Sequence, residues 1–387
     1  MTAIINKIRG DKVIWIVVIL LSVFSLLAVY SSTGTLAYKY RAGNTEYYVI
    51  KHFMILLFGF VLMYLAHLIK YTYYSRIFQI ALYIAIPLLI LTLLIGLNLN
   101  EAKRALPLPF NLSFQTSDLA KLTLIMYLAR LLTKKQDHIK DFRSAFVPIM
   151  IPVLIVCGLI LPNNFSTAAM LFATSLVLMF IGRINMRYIL YMIAIGVFVL
   201  GIFVIIAYNA DENSDSRIWT WKNRIESFVN PGEEDSYQVE QSKIAIASGG
   251  IIGKFPGNST QRNFLPHPYS DFIFAIIVEE YGLIGATFVV LLYLILFFRA
   301  VKIITKIPRT FGAFLVFGVA FSLVFQAMIN MGVAVNLLPV TGQPLPFISM
   351  GGTSIWFTSI SIGIILSVSK EVDNQEEQIQ QEAYVGA

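Results

Sequence analysis

Long apolar runs alternate with short polar breaks along this chain. The runs lie at roughly 13–30, 49–69, 77–97, 117–132, 145–161, 165–181, 188–208, 272–298, 311–335 and 347–369. Each is near the ~20 residues a helix needs to cross a bilayer, and a helix satisfies its own backbone donors and acceptors without water. The fourth run is the least apolar, since it holds Asp118, Lys121 and Arg130. The pattern predicts an all-α polytopic membrane protein with ten transmembrane helices, residues 1–370 forming one domain. A large extracytoplasmic loop, 209–270, separates helices 7 and 8. The polar, Glu- and Gln-rich tail 371–387 is expected to fray.

Composition agrees with this pattern. Apolar residues make up 57% of the chain and charged residues 13%, against about 45–50% and 25% in a soluble domain. A soluble enzyme of ordinary surface and a disordered chain are both excluded. The single cysteine, Cys157, sits in an apolar run and excludes an internal disulfide. The net charge of +7 reads as basic cytoplasmic loops rather than nucleic-acid binding. With the N-terminus inside, sixteen Lys and Arg fall in inner segments and five in the short outer ones, leaving aside the long loop. That asymmetry places both termini in the cytoplasm. The first run is long and has no small-residue cleavage pattern behind it, so no cleavable signal is expected.

The long loop changes character along its length. Its first part, 211–240, is polar, with Trp219 and Trp221 suited to a membrane surface. Residues 237–248 read as a short helix, followed by Gly249-Gly250-Ile251-Ile252-Gly253-Lys254-Phe255-Pro256-Gly257, a stretch built to turn sharply. A loop of this length is usually functional.

Few polar side chains inside the runs call for an explanation. Of 22 acids, four fall within or at the edge of a run: Asp118, Asp271, Glu279 and Glu280. An ionised carboxylate at the bilayer centre costs about 2.5–3.5 kcal/mol, so each must face protein or water. Asp118 and Lys121, three apart, share a helix face. They are either a structural ion pair or an ammonium offered to an anionic substrate and steadied by the acid. Arg130, nearer the inner end, can snorkel. Asp271 opens the eighth run. Either it or Ser270 caps that helix, or Asp271 is a carboxylate held at the membrane boundary to take a proton. Glu279, eight residues on, is about 12 Å further along a helix, too far to pair with it. The four histidines are scattered and form no zinc-hydrolase motif. The Gly249–Lys254 spacing is wrong for a phosphate loop, which argues against an ATP-driven pump.

Four segments carry a specific resemblance. Leu338-Pro339-Val340-Thr341-Gly342-Gln343-Pro344-Leu345-Pro346-Phe347-Ile348-Ser349-Met350-Gly351-Gly352-Thr353-Ser354 resembles the signature of the SEDS proteins (shape, elongation, division and sporulation), with a broken approach to the tenth helix. Leu265-Pro266-His267-Pro268-Tyr269-Ser270-Asp271-Phe272-Ile273-Phe274, then Glu279-Glu280-Tyr281-Gly282, is similar to the family's Leu-Pro-Glu-x-x-(Thr/Asn/Ser)-Asp-Phe-Ile-Phe and Glu-Glu-x-Gly. Tyr237-Gln238, Ala247-Ser248-Gly249-Gly250 and Gly253-Lys254 form a third match. Gln115-Thr116-Ser117-Asp118-Leu119-Ala120-Lys121, preceded by Arg104, looks like the family's Gln-Pro-Ser-Glu-x-x-Lys. The likeness spans nearly the whole chain and is stronger to the division branch than to the elongation branch. There are departures. Thr116 replaces the usual Pro, Asp118 the Glu, Ala105 a Trp and His267 a Glu. Pro162-Asn163-Asn164-Phe165-Ser166-Thr167-Ala168 lacks the family's Asp and Gly.

The resemblance implies a peptidoglycan glycosyltransferase of the cytoplasmic membrane that polymerises lipid II at the outer face, in septal wall synthesis. The family's catalytic acid maps onto Asp271. The implied substrate-binding residues are Lys121, Arg104, Lys254, Asp118, Gln238 and Ser270. The chemistry admits a divalent cation, Mg or Mn, although the sequence shows no ligand cluster for one. The implied partners are lipid II and the nascent glycan, a class B penicillin-binding protein and other membrane proteins of the division or elongation complex, with no nucleic acid. Two rival readings are a flippase for lipid II and a non-enzymatic division scaffold.

Overall fold

The computed structural model describes residues 10–41, 43–99, 102–108, 112–208 and 237–385. Each of the ten apolar runs contains a helix, although the last run starts in a loop: α1 (Lys12–Ser32), α3 (Thr45–Leu68), α4 (Tyr71–Ile95), α5 (Thr116–Lys134), α6 (Val147–Ile160), α7 (Phe165–Ile181), α8 (Met186–Tyr208), α10 (Ile273–Lys306), α11 (Thr310–Ala334) and α12 (Thr353–Val385). Among the described residues, seven helices are long and apolar enough to cross a membrane, α6 counted together with the π-helical turn Phe142–Phe146 before it. The helices α7 and α8 yield shorter apolar stretches, and α5 carries the charges noted above. Two further helices are short: α2 (Gly34–Arg41), which the apolar pattern does not reveal, and α9 (Tyr237–Gly249), which it does. Also unforeseen is a three-stranded antiparallel sheet between α4 and α5: β1 (Leu97–Leu99), β2 (Ala102–Leu108) and β3 (Leu112–Phe114), in order β1-β2-β3. Residues 211–230, with both tryptophans, lie outside the described residues.

Polar residues in the breaks set where helices start. Asp11 caps α1 by accepting from the Val13 and Ile14 amides (2.9 and 3.3 Å), Asn44 caps α3 and Asn164 caps α7. Such caps contribute about 1 kcal/mol each. Asp11 also takes two hydrogen bonds from Arg299, at 2.7 and 2.5 Å, which ties the start of α1 to the last turns of α10. The expected fraying after residue 370 is not what the structure shows. Helix α12 continues to Val385, with Lys306 holding Glu376 at 2.7 Å. Glu and Gln are good helix formers once a helix is under way.

The bundle centres on α11 and α12, each 67% buried over its most apolar stretch, against 28% for α4. Large apolar side chains such as Ile16, Phe53, Ile80 and Phe198 point outward, as a lipid-facing surface requires. Helices α3 and α12 pack backbone to backbone. A Cβ on Gly363 would lie 2.4 Å from the Met63 carbonyl and 2.7 Å from the Ala66 Cβ, so the bare glycine lets the two backbones touch. We predict that Gly363→Ala forces them apart and destabilises the bundle by about 1–3 kcal/mol. The readout is the melting temperature of the purified protein in detergent, and an unchanged value would refute this packing.

Candidate active site at the end opposite the basic loops

Asp271 sits just before α10, at the bundle end where α1 and α11 finish. Its carboxylate is half-buried and accepts a hydrogen bond from the Ser270 hydroxyl at 2.8 Å. Neither residue caps α10: the helix begins at Ile273 after Phe272, with no side-chain cap. The capping reading is therefore set aside. Hydrogen bonds fix the backbone around Asp271. Asn330 of α11 donates to the Asp271 carbonyl (2.9 Å) and the Gln343 carbonyl (2.7 Å). Ser349 donates to the Ser270 carbonyl (2.6 Å), and the Met350 amide to the Tyr269 carbonyl (2.9 Å). Beneath, Leu265, Phe272, Ala275 and Ile276 pack with Ala245 of α9 and Val333 of α11. The carboxylate is thus carried on a rigid support yet stays reachable.

The support is the signature loop between α11 and α12. Gln343 donates to Thr167 at the start of α7 (2.7 Å). Gln326 of α11 donates to the Pro344 carbonyl (2.9 Å), and Ser25 of α1, itself bonded to His52 of α3, donates to the Ile348 carbonyl (2.8 Å). Tyr293 of α10 donates to the Pro346 carbonyl. Phe347 is buried in a left-handed conformation (φ 69°), and His267 near Asp271 is left-handed too (φ 53°). Non-glycine residues in that region cost about 1–3 kcal/mol each and persist only where the surroundings enforce them.

The Gly-rich loop fills a break in α10. Gly282 has φ 65° and interrupts the helix. The amides freed there, of Leu283 and Ile284, donate to the carbonyls of Gly250 (3.0 Å) and Ile251 (3.3 Å), while the Lys254 amide donates to the Glu279 carbonyl (2.9 Å). A Cβ on Gly253 would sit 2.2 Å from the Glu280 carbonyl, so only glycine allows this approach. The two buried acids before the break hold the loop down. Glu279 accepts from Lys254 (2.7 Å), Ser259 (2.5 Å) and Thr260 (2.9 Å). Glu280 accepts from Ser31 and from the Ser259 amide.

The other substrate-binding residues read from the sequence are spread out. Lys254 is bound to Glu279 and Thr260. Lys121 pairs with Asp118 (3.5 Å) and donates to Gln326 (2.7 Å), in a cleft also lined by Ser322, Ser354 and Ser361. One oxygen of Asp118 is buried without a partner. Arg104 lies on β2, and its side chain is outside what is described. Gln238 is on the first turn of α9, half-exposed. Arg130 reaches Ser75, at the end where snorkelling was expected. Among the described residues no three His, Cys, Asp or Glu gather as a metal site.

Attention to acids alone misses the residues that join these clusters. Gln326 and Asn330, one turn apart on α11, link Lys121 through Pro344 and Gln343 to the backbone of Asp271. Two amides four residues apart in an apolar run are the sequence signal. Tyr269 is a further neighbour. Burial, and after it the negative charge of Asp271, raises its phenol above the ordinary value, so it stays neutral beside the carboxylate. Its hydroxyl shares a hydrogen bond with His267 (3.1 Å).

Fold and site together define a polytopic helical membrane protein with one reachable carboxylate framed by a buried signature loop. The chain belongs to the FTSW_RODA_SPOVE family, described as cell cycle protein, whose profile matches residues 11–374. The resemblance drawn from the motifs is thereby confirmed. The chain is 33% identical over 368 residues to the probable peptidoglycan glycosyltransferase FtsW of Geobacter sulfurreducens, covering 93% of this chain and 95% of that one. It is 31% identical over 371 residues to stage V sporulation protein E of Bacillus subtilis, covering 94% and 98%. Its fold matches rod shape determining protein RodA of Thermus thermophilus with a TM-score of 0.67 at 24% identity, covering 95% and 98%. It also matches a chain of a peptidoglycan synthase complex that coordinates polymerization and crosslinking, with a TM-score of 0.73 at 22% identity, covering 94% and 98%.

The pinning of the Gly-rich loop is open to test. Glu279→Gln removes the charge that Lys254, Ser259 and Thr260 address, and charged hydrogen bonds contribute about 1.5–3 kcal/mol. Hydrogen exchange of segment 250–262 is expected to speed up while α11 and α12 keep their protection. Unaltered exchange in that segment would show that Glu279 does not hold it.

Proposed function

We propose that this protein is an inverting peptidoglycan glycosyltransferase that polymerises lipid II at the outer face of the cytoplasmic membrane, with Asp271 as general base. The observation that carries the reading is the state of the three acids around the start of α10. Glu279 and Glu280 are buried and committed to the loop. Asp271 is partly exposed, free of any cap and fixed through its backbone. The 4-hydroxyl of the incoming GlcNAc gives its proton to Asp271 as its oxygen attacks the anomeric carbon of the growing chain. Undecaprenyl pyrophosphate leaves from the opposite side, so the configuration inverts and no enzyme nucleophile is needed. Ser270, hydrogen-bonded to the carboxylate, orients it.

The leaving diphosphate gathers negative charge that cations can stabilise. Lys121, held by Asp118 and Gln326, is the best-placed cation among the described side chains, with Arg104 a further candidate. Lys254 serves this role only by exchanging Glu279 for the diphosphate. Its present bonds favour a share in positioning the loop, while Gln238, on the first turn of α9, stays a substrate-binding candidate through the resemblance alone. A divalent cation, Mg or Mn, fits best as an ion carried by the diphosphate, because the described residues offer no ligand set of their own. The apolar outer faces of the helices suit the polyprenyl tails. The named relatives support the activity and a septal role. The synthase-complex match supports a crosslinking partner, a class B penicillin-binding protein. A flippase reading rests on the polar cleft at Lys121. It would need further polar sites along the depth of the bundle.

Purified protein with its cognate penicillin-binding protein, given lipid II in detergent, is expected to make long glycan. Asp271→Ala should lower the rate by about 10²–10⁴-fold without loss of folded protein, and undiminished product from the variant would end this mechanism. Lys121→Ala should slow polymerisation per folded molecule, whatever stability is lost with the ion pair to buried Asp118. If it lowers the melting temperature and leaves the rate per folded molecule intact, the ion pair is structural.

A further inference from the structure

The opposite end of the bundle carries a second concentration of unassigned chemistry. Between α4, α5 and the start of α11 lies a cavity of about 190 Å³, lined by Tyr71, Ser75, Arg130, Thr133, Lys134 and Arg309 among others. That is room for about six waters at ~30 Å³ each. Three cations line it and no carboxylate does. Lys134 and Arg309 have no ion-pair partner among the described residues. Arg130 gives one nitrogen to the carbonyl (2.7 Å) and hydroxyl (2.8 Å) of Ser75, which fixes its guanidinium plane. Fixed guanidinium groups suit bidentate phosphate recognition.

The backbone adds to this charge. Helices α4 and α11 both begin here, through Tyr71 and Phe311, and neither has a side-chain cap. The first amides of a helix carry partial positive charge, so two helix starts beside the cavity add to the charge of the three cations. The two helix starts are close enough that a Cβ on Gly312 would lie 3.2 Å from the Tyr71 ring. That ring stacks on Phe311 (centroids 6.4 Å apart) and gives the cavity an apolar wall. From here the exposed stripe Tyr73, Ile77, Ile80 and Ile84 runs along α4.

We propose that this cavity binds a phosphate group. An anionic phospholipid head group and free phosphate share that chemistry. The apolar wall and the lipid-facing stripe favour the lipid, its head on the three cations and its chains along α4. The site stands apart from Asp271 and does not depend on the proposed polymerase activity.

The test is native mass spectrometry of the full chain released from detergent with either phosphatidylglycerol or phosphatidylcholine. Wild-type protein is expected to retain phosphatidylglycerol and not phosphatidylcholine. Each cation near a membrane surface contributes a factor of about five, so Lys134→Gln with Arg309→Gln should weaken retention by about thirtyfold. Both side chains are exposed, so folding should be unaffected. The wild-type comparison of the two lipids stands without any variant. Equal retention of the two lipids, or undiminished retention by the double variant, overturns the site. Displacement of phosphatidylglycerol by millimolar inorganic phosphate, with the double variant still defective, supports the phosphate site and overturns its assignment to lipid.

Discussion

Backbone that is not helical inside an apolar bundle must find its hydrogen bonds within the protein, because lipid offers none. The arrangement around Asp271 stems from that constraint. The loop between α11 and α12 carries buried Leu345, Phe347, Ile348 and Ser349, and its carbonyls would be stranded without donors. Ser25, Tyr293, Gln326 and Asn330 supply them from four positions on three helices. Each of these bonds also fixes a neighbouring helix, so satisfying the loop and assembling the bundle are one process. Asn330 completes it: the amide that serves Gln343 also holds the Asp271 carbonyl. The precision of the site is thus inherited from the need to bury a loop without loss.

The same constraint explains the break in α10. A helix interrupted at Gly282 frees amides, and the Gly249–Lys254 turn fits its carbonyls onto them. The exchange works only if backbones meet with no Cβ between them, which is why glycines stand on both sides of the contact. Glu279 and Glu280 then anchor the Ser259–Gln261 stretch beyond the turn. Two acids that look like candidates for chemistry in a one-dimensional reading are structural, and their burial is tolerable because hydroxyls, amides and Lys254 surround them.

Much of this is legible in the sequence. The ten runs are helices because apolar length dictates it, and the Gly-rich stretch turns where expected. The signature segment signals a broken approach to the last helix, and α12 indeed begins only at Thr353. The small sheet at 97–114 leaves little trace because its strands are short, and two are only three residues long. Helix α2 is too polar for an apolar scan. Polarity alone misleads for the tail, because Glu and Gln extend a helix readily and Lys306 gives it an anchor. At the site, single acids are visible but their partners are not. Pairings such as Lys254 with Glu279, 25 positions apart, exist only once the loop has folded back. The roles of Gln326 and Asn330 depend on which face of α11 looks inward.

Three carboxylates within ten residues pose a choice that geometry narrows. A general base must reach its substrate and must keep an oxygen that the protein has not already saturated. Glu279 fails on both counts, fully buried with donors on each oxygen. Glu280 keeps one oxygen without a partner, but that oxygen is sealed inside the bundle. Among the described residues, Asp271 has a single hydrogen bond to its carboxylate, from the adjacent Ser270, and it lies at the bundle end with part of its surface open. Apart from Ser270, its described neighbours act on its backbone rather than on its carboxylate, so it is held in place without being spent. The helix cap that would have consumed it is missing because α10 starts two residues later. That small offset in the chain is what separates a structural acid from one available for chemistry.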